Sequence, residues 1–350
     1  MKTLIITRSD DNRCIETVSS ALRARNIEPI RLNTDHYPDR IRLSSSYGQK
    51  ERRILETEEG RFDLSDLTAV WYRRFNAGAG LPSSLGDTYS ASLQETRRTL
   101  FGMIATLPCF HLDPLESVRA TDHKELQLRR AVELGLDVPK TLITNDPAEV
   151  RAFYDIVGGD MITKMQHSFA IYRTGIENVV FTNVVGPDDL TDLEGLRYCP
   201  MTFQERLDKQ LELRVTVVGQ KVMSAAIDSQ KRKDTAIDWR RDGMGLLDCW
   251  EAYELPADIE SKLLKLTAQF GLNYAACDFI LTPSGRHVFL EINAVGEFFW
   301  LEMAPGLPIS ESIADLLAGY APRQIVDLAD GSVDDVLAGN RSAQQPDARS

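Results

Sequence analysis

Two apolar runs, AACDFI and VFLEIN, carry Asp278 in the first and Glu291 and Asn293 in the second. Side chains alternate along a strand, so Glu291 and Asn293 share one face. The runs 275–281 and 287–292 flank TPSG and read as a β-hairpin. A symmetric four-residue turn would pair Leu281 with Arg286, set Asp278 opposite Phe289 and leave it diagonal to Glu291. Three oxygen-bearing side chains then converge with no Cys or His beside them. Hard oxygen donors of this kind favour Mg²⁺, with Mn²⁺ as the alternative ion, in a site shared with substrate phosphates. The bland alternative is three solvated residues on an exposed sheet face.

Such a metal site needs cations to meet the phosphates. The sequence has no G-x-x-x-x-G-K-[ST] run, and neither NAGAGLPSSLG nor RDGMGLLD completes a G-x-G-x-x-G. Individual side chains must therefore supply the charge. The candidates are Lys164 in MITKMQ, Lys124 in TDHKELQL and Arg214 in LELRVTVVG, the last with Glu212 on the same strand face. Each has an ordinary alternative: an edge lysine protecting a sheet, a helix-surface lysine, and a cross-strand ion pair.

The elements that must position these groups are legible in outline. TLIIT (3–7), a helix from 13 to 25 and an apolar run at Ile27, Ile30 and Leu32 form a β-α-β opening. A strand at 67–75 and a helix at 91–107 complete an α/β unit with a parallel sheet. Asp122 and Glu125 form a capping-box pattern before a helix ended by Gly135, and DPAE (146–149) places an N-cap, an N1 proline and an N3 glutamate. Strands follow at 141–143, 161–165, 179–182, 201–205, 212–218 and 221–228, with Gly219-Gln220 suited to a type II′ turn. A helix over 259–270, stopped by Gly271, precedes the carboxylate hairpin. The tail from about Asp327 is read as disordered.

Composition narrows the class. The 350 residues are 43% hydrophobic and 26% charged, as in an ordinary folded protein, with a formal net charge of -12. That acidity disfavours nucleic acid and anionic membranes as partners. Cys14, Cys109, Cys199, Cys249 and Cys277 are scattered with no C-x-x-C, which fits reduced thiols. The apolar run after Lys2 stops at Arg8, unlike a signal peptide. A soluble, cytoplasmic protein is expected.

PMTFQERLDK, LELRVTVVG, Asp278 and FLEIN, in that order and spacing, resemble the ATP-grasp fold. Together with ITRSDDN, VWYRR, TNDP, ITKM, VVFTN, AIDSQ, DWRR and GEFFWLE, they resemble the ATP-grasp macrocycle ligases of microviridin-type peptides, the graspetides, over about residues 1–320. Within that group the ester-forming enzymes are the nearest likeness. The resemblance implies an α/β and α+β architecture: a pre-ATP-grasp domain over 1–115, and ATP held between two α+β subdomains over 116–200 and 201–322, with a tail at 323–350. It also implies a homodimer.

The site roles follow from the resemblance. Lys124 and Lys164 would contact ATP phosphates; Gln204, Glu205 and Leu207 would form the hinge strand at adenine, with Glu212 near the ribose. Arg214 would steady the γ-phosphate or the acyl phosphate, and Asp278, Glu291 and Asn293 would hold magnesium, two ions being expected. Arg214, Arg240 and Lys164 are the catalytic candidates, Arg240 as a grip on the acceptor carboxylate. Arg73 and Arg74 follow an apolar strand end and are candidates to face the cleft. A precursor peptide with leader and core segments is the implied partner. The acidic stretch GPDDLTDLEGL reads as a short helix offering Asp188, Asp189 and Asp192 to an arginine-bearing leader. GEFFW reads as a wall of the acceptor pocket. The implied reaction activates Asp or Glu side chains as acyl phosphates and joins them to Ser or Thr hydroxyls. Amide formation, by Lys-carboxylate crosslinking or amino-acid addition, is the alternative.

Overall fold

The structure, a computed structural model, describes residues 1–11, 13–48, 50–166, 170–173, 176–179, 182–231 and 245–324. Its first unit is a parallel sheet built from β1 (Lys2–Thr7), β2 (Glu28–Asn33), β6 (Leu67–Tyr72) and β7 (Phe110–Leu112), in the order β2-β1-β6-β7. Leu4, Ile5 and Ile6 are wholly buried because both faces are covered. Ile5 packs with Ile15, Val18 and Leu22 of α1 (Arg13–Ala24); Leu4 and Ile6 pack with Leu100, Met103 and Ile104 of α2 (Tyr89–Ala105). A three-stranded antiparallel sheet, β3 (Arg42–Ser46), β4 (Arg52–Thr57) and β5 (Gly60–Asp63), intervenes between β2 and β6. Sequence patterning does not reveal it, because RLSSS and GRFD bury too little to show a period.

After α3 (Leu115–Ala120), α4 (Lys124–Glu133) leads into the second unit. The capping box expected at Asp122 and Glu125 is not formed. The helix begins one residue later than that pattern requires, with His123 at the N-cap and no side-chain cap. Gly135, at φ +74°, does end it, its N–H reaching Val132 O at 2.9 Å. β8 (Thr141–Thr144), α5 (Pro147–Ile156), β9 (Met161–Lys164), β12 (Asn183–Val185) and β13 (Met201–Glu205) follow, with a hairpin of β10 (Ala170–Arg173) and β11 (Ile176–Val179) between β9 and β12. The sheet order is β12-β9-β13-β8. Asp146 caps α5 as expected, accepting from the Ala148 N–H at 2.8 Å. Of the strand expected at 179–182, β11 ends at Val179 and residues 180–181 lie outside the described residues.

The third unit is an antiparallel sheet in the order β16-β15-β14-β17-β18, from β14 (Leu211–Val218), β15 (Lys221–Ile227), β16 (Glu251–Ala252), β17 (Tyr274–Leu281) and β18 (His287–Asn293). Gly219, at φ +61°, opens the two-residue turn between β14 and β15, and a Cβ there would meet Pro322 O at 3.1 Å. Leu213, Val215, Cys277 and Phe279 point to one side, against Leu263, Leu266 and Phe270 around α6 (Ala257–Gln269). The opposite face of β14 and β17 carries Arg214 and Asp278, which stand in register. Beyond β18, α7 (Phe299–Met303) and α8 (Ile309–Ala318) return the chain to the first unit, where α8 packs beside α1. Residues 325–350, with the expected tail, lie outside the described residues.

The carboxylate hairpin departs from its expected register. Leu281 pairs with His287, so the loop is Thr282–Arg286, with Gly285 at φ +83°. A bulge then shifts the pairing again: Phe279 opposes Phe289, while Asp278 directly opposes Glu291 and leaves Leu290 as the extra residue. Asp278 and Glu291 are thus opposite neighbours, not diagonal ones.

Candidate active site

A cavity of about 1430 Å³ lies between the sheets of the second and third units and reaches the carboxyl end of the parallel sheet of the first. The expected residues Lys124, Lys164, Gln204, Glu205, Leu207, Glu212, Asp278, Glu291 and Asn293 all line it. Among its described lining residues are eight Lys or Arg and six Asp or Glu, a basic balance inside an acidic chain. Such a balance suits an anionic ligand.

The donor set is two carboxylates and an amide. Among the described residues no three His, Cys, Asp or Glu side chains converge as a metal-holding group. Like charges directly across a ladder repel, and two cations offset that here. Lys124 Nζ donates to Glu291 Oε2 at 2.9 Å, and Arg214 Nη1 donates to Asp278 Oδ1 at 2.8 Å. Asn293 Oδ1 accepts from the Val295 N–H at 2.9 Å. An all-oxygen set this sparse fits Mg²⁺, which keeps waters and substrate phosphates in its shell and does not require an all-protein cage.

Gln127, which no motif flags, holds this arrangement together. Lys124 and Gln127 lie three residues apart on α4 and so face the same way. β18 is the edge strand of its sheet, and the Gln127 amide pairs with it as a neighbouring strand would. Its Nε2 donates to Ile292 O at 2.9 Å, and its Oε1 accepts from Ile292 N–H at 3.0 Å. Ile292 sits between Glu291 and Asn293, so the contact sets both. Gln127 is 1% exposed.

On β13, Gln204 is buried and donates to Thr141 Oγ1 at 2.9 Å, while Glu205 Oε1 accepts from Lys140 N–H at 3.0 Å. Lys209 Nζ donates to Glu212 Oε1 at 3.0 Å. Arg214 does not line the cavity. It is buried over Trp300, and its Nη2 donates to Glu297 O at 3.1 Å. Neighbouring carboxylates, chiefly Asp278, outweigh the cost of burial and hold its charge firmly.

The segment after Asn293 threads between two buried guanidiniums. Arg73 Nη1 donates to Val295 O at 2.9 Å and Gly296 O at 3.0 Å, and its Nη2 lies 2.9 Å from Glu297 Oε2. Arg74 also binds the Glu297 carboxylate. Only glycine fits at 296, because a Cβ would fall 2.4 Å from Ala276 Cβ and 2.8 Å from Arg214 Nη2. Burial pushes the Glu297 carboxyl up, but Arg73 and Arg74 outweigh it and hold the group below its usual value. Both arginines line the cavity, Arg73 as a buried strut with its charge tied into this loop and Arg74 as the more open of the two.

Known proteins share this fold. Residues 2–119 match the family described as the MvdD pre-ATP grasp domain. A Chryseobacterium gregarium RiPP-associated ATP-grasp ligase, solved with ADP and a leader and core peptide, is 44% identical at a TM-score of 0.88, over 92% of this chain and 98% of that one. The macrocyclase MdnC of Microcystis aeruginosa MRC, bound with precursor peptide MdnA, is 43% identical at 0.83, over 91% of this chain and 100% of the other. The chain belongs to the RiPP-associated ATP-grasp macrocyclases. Macrocyclase MdnB of the same Microcystis strain is 33% identical at 0.73, over 90% and 98% of the two chains. A comparison with the curated proteins gives no significant match.

Two expectations about this macrocyclase change with the structure, and a third is not tested by it. The acidic stretch is not one helix but two 3₁₀ turns, Pro187–Leu190 and Glu194–Tyr198. Asp188, Asp189 and Asp192 are exposed and do not line the cavity; Asp189 and Asp192 accept from the backbone N–H groups of Gly186 and Glu194. GEFFW is not a cavity wall: Phe298 is fully buried and Trp300 is 5% exposed, both in the core with α1 and α8. Arg240 lies outside the described residues. No described helix is long and apolar enough to cross a membrane.

Proposed function

We propose that this macrocyclase closes side-chain ester rings in a ribosomally made precursor peptide, one ATP being consumed per ring. The observation that carries the reading is the size and reach of the cavity. At about 1430 Å³ it exceeds what one small ligand fills, and it joins the carboxylate hairpin to the end of the parallel sheet. Nucleotide and peptide can therefore occupy it together.

In this reading Gln204, Glu205 and Leu207 flank adenine, and Glu212 meets the ribose. Lys124 and Lys164 bind phosphate oxygens. Asp278, Glu291 and Asn293 hold magnesium, with two ions expected, which would neutralise charge on the transferring phosphoryl group. Arg214 steadies Asp278 from behind, and Arg240 and Lys164 complete the catalytic set. A carboxylate oxygen of a peptide Asp or Glu attacks the γ-phosphorus, and ADP leaves. A Ser or Thr hydroxyl of the same peptide attacks the acyl carbon, phosphate leaves, and the hydroxyl proton passes to phosphate or water. The work of the protein is positioning and the exclusion of water, since an acyl phosphate hydrolyses. The leader engages a separate surface that includes Asp188, Asp189 and Asp192, and the enzyme acts as a homodimer, which sedimentation would test.

The deciding experiment supplies a leader-bearing peptide with Ser/Thr and Asp/Glu in its core. ADP should form only with that peptide, the peptide mass should fall by one water per ring, and mild base should reopen the product. Turnover with free amino acids and none with the peptide would overturn the reading; a base-stable ring would show amide formation.

A further inference from the structure

The cavity has a second half that the nucleotide residues do not use. Arg8 follows β1, and Arg74 and Phe75 follow β6. These two strands are adjacent, and their connections leave to opposite sides, since β2 flanks β1 and β7 flanks β6. The crevice off the carboxyl ends of such a pair is where open parallel sheets bind ligands. Arg97 and Phe101, four residues apart on α2, close the same wall. The Phe75 and Phe101 rings stack at 4.0 Å and 14°, and the Arg119 guanidinium lies 4.4 Å from the Phe101 ring centre. Among the described residues this wall contributes arginines and no acid to the cavity. Arg8 and Arg74 already have carboxylate partners in Asp10 and Glu297. Arg97 has none among the described residues; its Nε donates to Ala77 O at 3.3 Å.

We propose that this wall is a subsite for an acidic segment of the peptide core. Arg97 pairs with a side-chain carboxylate, and the Phe75–Phe101 stack carries an apolar or aromatic neighbour. The subsite rests on the macrocyclase reading for its ligand class. It holds the acidic segment by the first sheet, while the reacting carboxylate meets the phosphates at the carboxylate hairpin.

The test measures binding of a dansyl-labelled hexapeptide, Ser-Phe-Thr-Asp-Glu-Asp, and of its Asn/Gln counterpart, to the full chain with ADP and Mg²⁺. The acidic peptide should bind about five-fold more tightly, the upper end for an exposed ion pair. Arg97→Gln should remove that preference, Arg97→Lys should keep part of it, and Phe101→Leu should weaken both peptides. ADP affinity should be unchanged in all three variants, which shows that they remain folded. Equal binding of the two peptides to the unaltered enzyme, or an undiminished preference in Arg97→Gln, would overturn the subsite. Failure of ring closure with the acidic preference intact would count against the ester-forming reading and not against this wall.

Discussion

The side-chain amide of Gln127 stands where a sixth strand would stand beside Ile292, with its two hydrogen bonds to Ile292 at 2.9 and 3.0 Å and a third, from Nε2, to Thr121 O. One buried glutamine thus fixes the distance between the helix that carries Lys124 and the strand that carries Glu291 and Asn293. It also protects the edge of the sheet at its most chemical point.

Replacing it should disturb both stability and metal use. Gln127→Leu leaves the Ile292 N–H and C=O buried without partners, at a cost of roughly 2 kcal/mol or more. The Mg²⁺ concentration for half-maximal ADP formation should rise by ~10-fold, as when groups that orient metal ligands are lost. A thermal melt and a Mg²⁺ titration read the two effects. A lower melting point with an unaltered Mg²⁺ requirement would make Gln127 a packing residue only.

The carboxylate pair gives a sharper test. Asp278→Asn keeps an oxygen for Arg214, and Glu291→Gln keeps one for Lys124, so both variants should fold. Each should lower ADP formation by ~100-fold or more, the scale seen when a group that stabilises developing charge is removed. Circular dichroism and a coupled ADP assay suffice. Full activity in both would refute the metal assignment.

Gly296 should tolerate no side chain. In Gly296→Ala the new methyl would have to displace Ala276 or the Arg214 guanidinium. Overpacking of this kind costs ~1–3 kcal/mol. If Arg214 is the group that yields, activity should fall by more than the melting point suggests. Alanine at a buried control such as Val215→Ala, next to Arg214 on β14 but facing α6, should show the opposite balance.

The Arg73–Glu297–Arg74 cluster predicts an acid-sensitive junction between the first and third units. The Glu297 carboxyl titrates below its usual 4.5 when folded. Its contribution is therefore present above about pH 4.5 and is lost as pH falls through the lower, folded value. Glu297→Gln should destabilise the protein at neutral pH by ~3 kcal/mol, since buried Arg73 loses its nearest charge. It should also flatten the dependence of the unfolding midpoint on pH below 4.5. An equally steep acid limb in the variant would place the sensitive group elsewhere.

Much of the site was legible without coordinates, for a chemical reason. Oxygen donors for a hard cation and cations for phosphates draw on few residue types, and strand alternation sorts them by face. Asp278, Glu291, Lys124 and Lys164 could therefore be named from AACDFI, VFLEIN, TDHKELQL and MITKMQ. Capping at Asp146, the stop at Gly135 and the Gly219 turn were equally readable, because each is decided within a few residues. The three-stranded sheet over 42–63 escaped because exposed, polar strands carry little period.

The sequence by itself therefore determined the parallel opening unit, the ATP-grasp likeness and the chemistry of the ligand set. Tertiary structure alone decided how those groups meet. The bulge at Leu290 that sets Asp278 opposite Glu291 is a property of the paired strands and of neither run alone. Gln127 meets Ile292 across 165 residues and Arg73 meets Gly296 across 223. Such contacts leave no local period or spacing to read. The aromatic run at 298–300 shows the same limit: its residues could wall a pocket or fill a core, and packing against α1 and α8 chose the core.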